Sequence, residues 1–174
     1  MKYFVKFFVV TFFVLICTYT NAEQKIVVLD LKFVLNESKA GKGAQDFLKK
    51  SFNENQKIFL DKENFLKKEE SDLLAQKTIL TKEEYQKKSD NLRKKVIDYQ
   101  SQRRASLEKI TTQRAEARQQ LIEKLDPILK TYVEENNVSL IIDRKDVLMG
   151  NTNLDITDII IKKLNKELPS LTIK

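Results

Sequence analysis

Residues 44–126 read AQDFLKKSFNENQKIFLDKENFLKKEESDLLAQKTILTKEEYQKKSDNLRKKVIDYQSQRRASLEKITTQRAEARQQLIEKLD, a stretch of 83 residues with no glycine and no proline. Glycine and proline are the main punctuation of globular chains, so their absence over this length predicts very long helices. Gly41 and Gly43 precede the stretch, and Pro127, Gly150 and Pro169 follow it. The pattern predicts an α+β chain with two regimes: a small β-rich body split between residues 23–43 and 127–174, and a helical arm at 44–126 between the two pieces.

Inside the stretch, Phe52, Phe59, Leu66, Leu73 and Leu80 recur every seven residues, with Ile58, Phe65 and Ile79 in a neighbouring column. Tyr85, Leu92, Val96, Tyr99, Ile110, Ala117, Leu121, Leu125 and Ile128 follow, mostly in steps of three and four. Both patterns are coiled-coil-like. Thr81 with Glu84 three residues on is a capping box, which starts a new helix. The stretch is therefore expected to fold back near 78–83 as an antiparallel helical hairpin, with facing residues whose numbers sum to about 162. That register puts Phe52 near Ile110, Leu66 near Val96, Leu73 near Ser89, and Phe59 opposite Arg103, whose aliphatic stem would lie on the ring. The seam is poorly filled: Lys62, Glu69 and Gln76 take alternate positions on the first helix, and Ser89, Arg103, Ser106 and Gln113 interrupt the second.

The first 22 residues read as an export signal. Lys2 and Lys6 precede the apolar stretch Phe7–Ile16, and Thr20-Asn21-Ala22 supplies a cleavage site after Ala22. The apolar stretch is about half the roughly 20 residues that a spanning helix needs. Cys17 is the single cysteine and leaves with the signal, so the exported chain is expected to hold no disulfide. With no histidine anywhere, no His/Cys metal site, Ser-His-Asp triad or Cys-His dyad can form. The three glycines build no phosphate loop. No catalytic residue, metal or cofactor is expected. Asp30, Asp143 and Asp146 are read as strand-end and turn residues.

Without Lys2 and Lys6 the chain has 30 basic and 25 acidic residues. The window Lys77–Arg104 holds nine basic and four acidic residues, and so carries that whole excess. The outer half of the arm is where the positive charge collects.

In the body, Ile26–Leu31 and Val138–Asp143 are strand candidates, Val34–Ser38 is a turn or short helix, and Val147–Met149 reads as a third strand ending at Gly150. Asp155-Ile156-Thr157-Asp158 is expected to cap a last helix, Ile159–Glu167, stopped by Pro169. A body of 69 residues without a disulfide is marginal alone and leaves sheet edges uncovered, which predicts self-association.

The segment VLDLKFVLNES at 28–38, and above all LIIDRKDVLMGN at 140–151 followed by LDITDIIIKKLN at 154–165, resembles Skp/OmpH-type periplasmic chaperones. The resemblance implies a homotrimer with a central β-body and three helical arms around a cavity. It also implies a periplasmic holdase that keeps unfolded outer-membrane proteins from aggregating without ATP, and in some members contact with lipopolysaccharide. Phe47, Ile58 and Phe65, beside the seam, are the candidate client contacts. Lys87, Lys88, Arg93, Lys94 and Lys95 are the candidate contacts to anionic lipid. The competing reading is a structural coiled-coil protein tethering envelope components through its basic arm tips. Nucleic acid is disfavoured by export and by the scarcity of stacking aromatics near the tip, where only Tyr85 and Tyr99 occur.

Overall fold

The alternation of Val27 and Leu29 with more open neighbours makes the first ordered segment a strand, β1 (Lys25–Leu29), with both side chains turned into the core. The structure is a computed structural model that describes residues 24–173; the expected signal segment, its cleavage site and Cys17 lie outside the described residues. Asp30 ends the strand and caps the next helix, accepting from the Phe33 N–H at 2.8 Å. That helix, α1 (Leu31–Glu37), occupies the place read as a turn or short helix and takes Leu31 from the expected strand. Ser38 then breaks the chain into β geometry and caps α2 (Lys39–Ala75) through the Gly41 N–H at 3.1 Å.

The chain reverses after α2 and returns as α3 (Lys82–Glu135), 54 residues long. Asn137 ends this path with φ 50, the left-handed conformation that asparagine tolerates after a helix. Strand β2 (Val138–Asp143) then pairs with β1 in parallel, with Ile26 opposite Leu140 and Val28 opposite Ile142. Parallel strands require a crossover, and here the crossover is the entire hairpin. This is why the body is split across both ends of the chain.

Both helices run beyond the expected limits of the arm. Gly41 and Gly43 lie within α2, and Pro127 lies within α3. A proline in a helix interior costs about 3 kcal/mol. Leu121, Leu125, Ile128 and Tyr132 flank it on one helical face and are all at least 94% buried. At about 1.5–3 kcal/mol per buried side chain, that anchoring outweighs the proline on both sides.

The expected third strand is absent: Val147–Met149 follows a single 3-10 turn (Arg144–Asp146) and takes no strand conformation. Among the described residues no neighbour pairs with it, and Leu148 and Met149 stand fully in solvent. The last helix, α4 (Thr157–Glu167), starts two residues earlier than expected, with Ile156 at its N-cap and no side-chain cap. Its start is held from outside. The Asp30 N–H donates to Thr157 Oγ1 at 2.9 Å, and the Ile156 N–H donates to the Val28 carbonyl at 2.9 Å. Asp155 accepts from the Thr157 N–H at 2.9 Å and pairs with Arg144 at 2.8 Å. Burial pushes its carboxyl up, but the Thr157 hydrogen bonds and Arg144 together hold it below its usual range.

One apolar core gathers Val27, Leu29, Val34, Leu125, Ile160 and Leu164 from both ends of the chain. The fold is α+β: a two-stranded parallel sheet with three helical segments packed on it, and a long antiparallel helical hairpin projecting from it.

Candidate functional site

The arm begins where the core stops. Leu48 and Ile110 are buried, and between residues 49 and 109 no side chain is. The hairpin closes at Thr81, whose hydroxyl accepts from the Glu84 N–H at 3.2 Å while Glu84 Oε2 accepts from the Thr81 N–H at 3.1 Å. Those bonds to Thr81 hold the Glu84 carboxyl below its usual range.

Contacts across the seam follow the expected register. Lys88 Nζ donates to Gln76 Oε1 at 2.7 Å, Lys95 pairs with Glu69 at 2.5 Å, and Lys62 Nζ donates to Gln102 Oε1 at 2.7 Å. The Tyr99 hydroxyl donates to Glu63 at 3.2 Å. The Glu63 carboxyl lies below its usual range, first through its hydrogen bond from Lys67 and then through that from Tyr99. One expected pairing differs in detail: the ring meeting Phe59 is Tyr99, edge-on at 6.0 Å and 67°, with the Lys62 ammonium 5.6 Å from the Phe59 centroid. Arg103 lies along the same groove. An aromatic edge complements the face of a second ring more closely than an aliphatic stem does.

The seam is only half dry. Ser51, Asn55, Glu63 and Glu69 on α2 and Gln76 at its C-terminal cap share it with Ser89 and Ser106 on α3, all partly accessible. Apolar residues are left outside it. Phe47, Ile58 and Phe65 stand 11 and 7 residues apart, close to whole numbers of helical turns, and so share one face of α2. They are 42%, 50% and 59% exposed, and Phe65 lies 5.8 Å beneath the Lys95 ammonium. Ile79, of the same neighbouring column, is exposed too, and so are Leu60, Leu74, Ile97 and Leu107, which the heptad columns do not contain. The signal that identifies them is their position off the seam columns at spacings that keep them out of the helix contact.

The basic tip residues divide into two groups. Lys88 and Lys95 turn inward and are occupied by Gln76 and Glu69. Lys87, Arg93 and Lys94 make no ion pair among the described residues. Lys87 and Lys94, seven apart, line a shallow depression near the start of α3 together with Lys82, Lys88 and Asn91 and the carboxylates of Glu83, Glu84 and Asp90.

On the body, Asp30 and Asp143 act as caps, Asp143 accepting from the Lys145 N–H at 3.1 Å. Among the described residues no cluster of three or more His, Cys, Asp or Glu is arranged to hold a metal ion, and no helix is long and apolar enough to cross a membrane.

The profile of the family described as Outer membrane protein (OmpH-like) matches residues 25–164. The fold is similar to that of a candidate outer membrane chaperone (OmpH-like) from Caulobacter crescentus CB15, with a TM-score of 0.79 and 19% identity over 89% of this chain and 92% of that one. No curated protein matches the chain. The family match spans both strands, both helices of the arm and α4 up to Leu164, so the chain belongs to the OmpH-like outer membrane protein family.

Proposed function

We propose that this protein is a periplasmic, ATP-independent holdase, without catalytic activity, that binds unfolded outer-membrane proteins and keeps them from aggregating. The observation that supports this most is the arm. Over residues 49–109 nothing is buried, yet Ile58, Phe65, Leu74 and Ile97 are each at least half exposed. A client that must stay unfolded is held by many weak apolar contacts spread along a surface, not by one fitted pocket. Phe47, Ile58 and Phe65 are the proposed client-facing stripe. Lys87, Arg93 and Lys94, the cations of the tip that make no ion pair among the described residues, are the ones proposed to meet anionic lipid or lipopolysaccharide.

The working assembly in this reading is a homotrimer joined through the bodies. The outer edge of β2 has no strand partner among the described residues, Leu140 is 52% exposed, and Leu148 and Met149 are uncovered. An open apolar strand edge is a ready template for pairing with another chain.

The test combines mass and protection. Chain lacking residues 1–22 is mixed with a urea-unfolded porin, and complex mass and light scattering are followed on dilution. One client per trimer and suppressed scattering are expected. Ile58→Ser with Phe65→Ser is expected to weaken suppression severalfold while oligomer mass and helical signal stay unchanged. Full suppression by that variant would remove the stripe from the reading. An assembly with a single saturable folded partner and no affinity for unfolded porin would favour the envelope tether.

A further inference from the structure

A groove at the base of the arm is accounted for by neither the exposed stripe nor the tip. It lies where α1, α2 and α3 meet. Its floor is apolar and buried, formed by Leu35, Ala44, Leu48, Ala117 and Leu121. Phe52 forms its outer end and is 42% exposed. Phe52 also lines the next groove along the arm, where Phe59, Leu60 and Leu107 stand among polar residues such as Asn55, Gln56 and Ser106.

The rim is cationic. Lys32, Lys49, Arg114 and Arg118 line it from three different helices, and Asp46 is the single carboxylate on the lining among the described residues. None of the four cations makes an ion pair among the described residues. Arg114 and Arg118 are one turn apart on α3, where like charges repel. The residues three and four away from them are Ile110, Thr111, Ala115, Ala117, Leu121 and Ile122, so no neighbouring acid on the helix relieves them. Lys50, Lys67 and Lys130, by contrast, each have an acid one turn away that pairs with them.

We infer that this groove docks acidic-apolar peptide segments, with apolar side chains on the Leu48–Phe52 floor and carboxylates paired to Arg114 and Arg118. Guanidinium groups bind carboxylates in a two-pronged geometry, and a carboxylate between two of them relieves their mutual repulsion. That the segment comes from an unfolded client rests on the holdase reading; the charge preference does not. The groove would therefore select, within a client, the stretches where acids accompany large apolar residues.

The experiment measures anisotropy of a short fluorescent peptide of Leu, Glu and Ser against the intact chain, with a matched peptide carrying Lys for Glu. The acidic peptide is expected to bind more tightly. Arg114→Gln with Arg118→Gln is expected to weaken it about five- to tenfold, the value of two exposed charge pairs, with circular dichroism unchanged. Should the double variant lose helix, Arg118→Gln alone decides, with about a two- to fivefold loss expected. Equal affinity for the two peptides, or unchanged affinity in the folded variant, overturns the inference. So does displacement of the acidic peptide from the wild type by a fatty acid whose own binding is lost in the Gln variant, which would make the groove a lipid site. Porin protection is scored in parallel. Peptide binding without protection keeps the groove and sinks the holdase, and protection without charge-selective binding does the reverse.

Discussion

Gly41 and Gly43 lie two residues apart near the start of α2 and have opposite roles. A Cβ on Gly41 would collide with the backbone carbonyl of Leu35 and come within 2.9 Å of Ser38 Oγ, at the corner where α1 meets α2. A methyl there must push one helix off the other, because the obstacle is main chain and not the free end of a side chain. A Cβ on Gly43 meets nothing within 4 Å. Gly41→Ala is therefore expected to destabilise by about 1–3 kcal/mol, in the range of core overpacking. Gly43→Ala is expected to stabilise by about 0.5–1 kcal/mol, since alanine is the better residue in an exposed helix. Urea melts of the two variants check this, and shifts of the same sign would refute the packing argument. Read in sequence, the two glycines look alike, as punctuation before a helix. Only the path of α1 across the helix start distinguishes them, and a linear pattern carries no information about that crossing.

At the scale of the element, the hairpin was the most legible part of the chain. Its reversal is signalled by Thr81 and Glu84, whose capping requirements are local, and its register by a heptad column that has one solution once the turn is placed. The candidate basic contacts were legible as a group and not as individuals. Five cations between Lys87 and Lys95 read alike in composition, but the rotation of α3 turns Lys88 and Lys95 toward Gln76 and Glu69 and leaves Lys87, Arg93 and Lys94 outside. An inward lysine must give up its partner before it can meet an anionic surface, and an outward one need not. Changing Lys87, Arg93 and Lys94 to Gln is thus expected to lower binding to vesicles containing anionic lipid more than changing Lys88 and Lys95 to Gln. The difference should shrink as salt rises and the Debye length falls to about 8 Å at 0.15 M. Flotation at two salt concentrations reads both outcomes; equal losses, or losses indifferent to salt, would remove these three cations from the proposed function.

Across the whole molecule, the two ends of the chain form one core and the hairpin leaves it as a protrusion. Val27, Leu125, Ile160 and Leu164 bind together residues more than a hundred positions apart, whereas the outer arm is held by half-wet pairs such as Phe59 with Tyr99 and Lys62 with Gln102. The sequence showed the split but not the extent of the core. Pro127 looks like a boundary; the apolar column Leu121, Leu125 and Ile128 runs past it in the sequence, but that these residues and Tyr132 are buried enough to carry α3 through the proline is evident only when β1, α1 and α4 are seen to converge on them. The third strand was misread for the converse reason: Val147–Met149 has strand composition but, within one chain, no edge to join. Surface exposed on opening sets how much denaturant an opening senses, and local openings have their own free energies below the global value. The arm can open without disturbing the core, because no side chain between 49 and 109 is buried in it. Amides from about 55 to 105 are expected to exchange with deuterium at least tenfold faster than those near Leu125 and Tyr132, and with a weaker dependence on added urea. If instead arm and body amides exchanged at one rate with one urea dependence, the arm would be an integral part of the folded unit, and the loose surface on which client binding depends would not exist in the free protein.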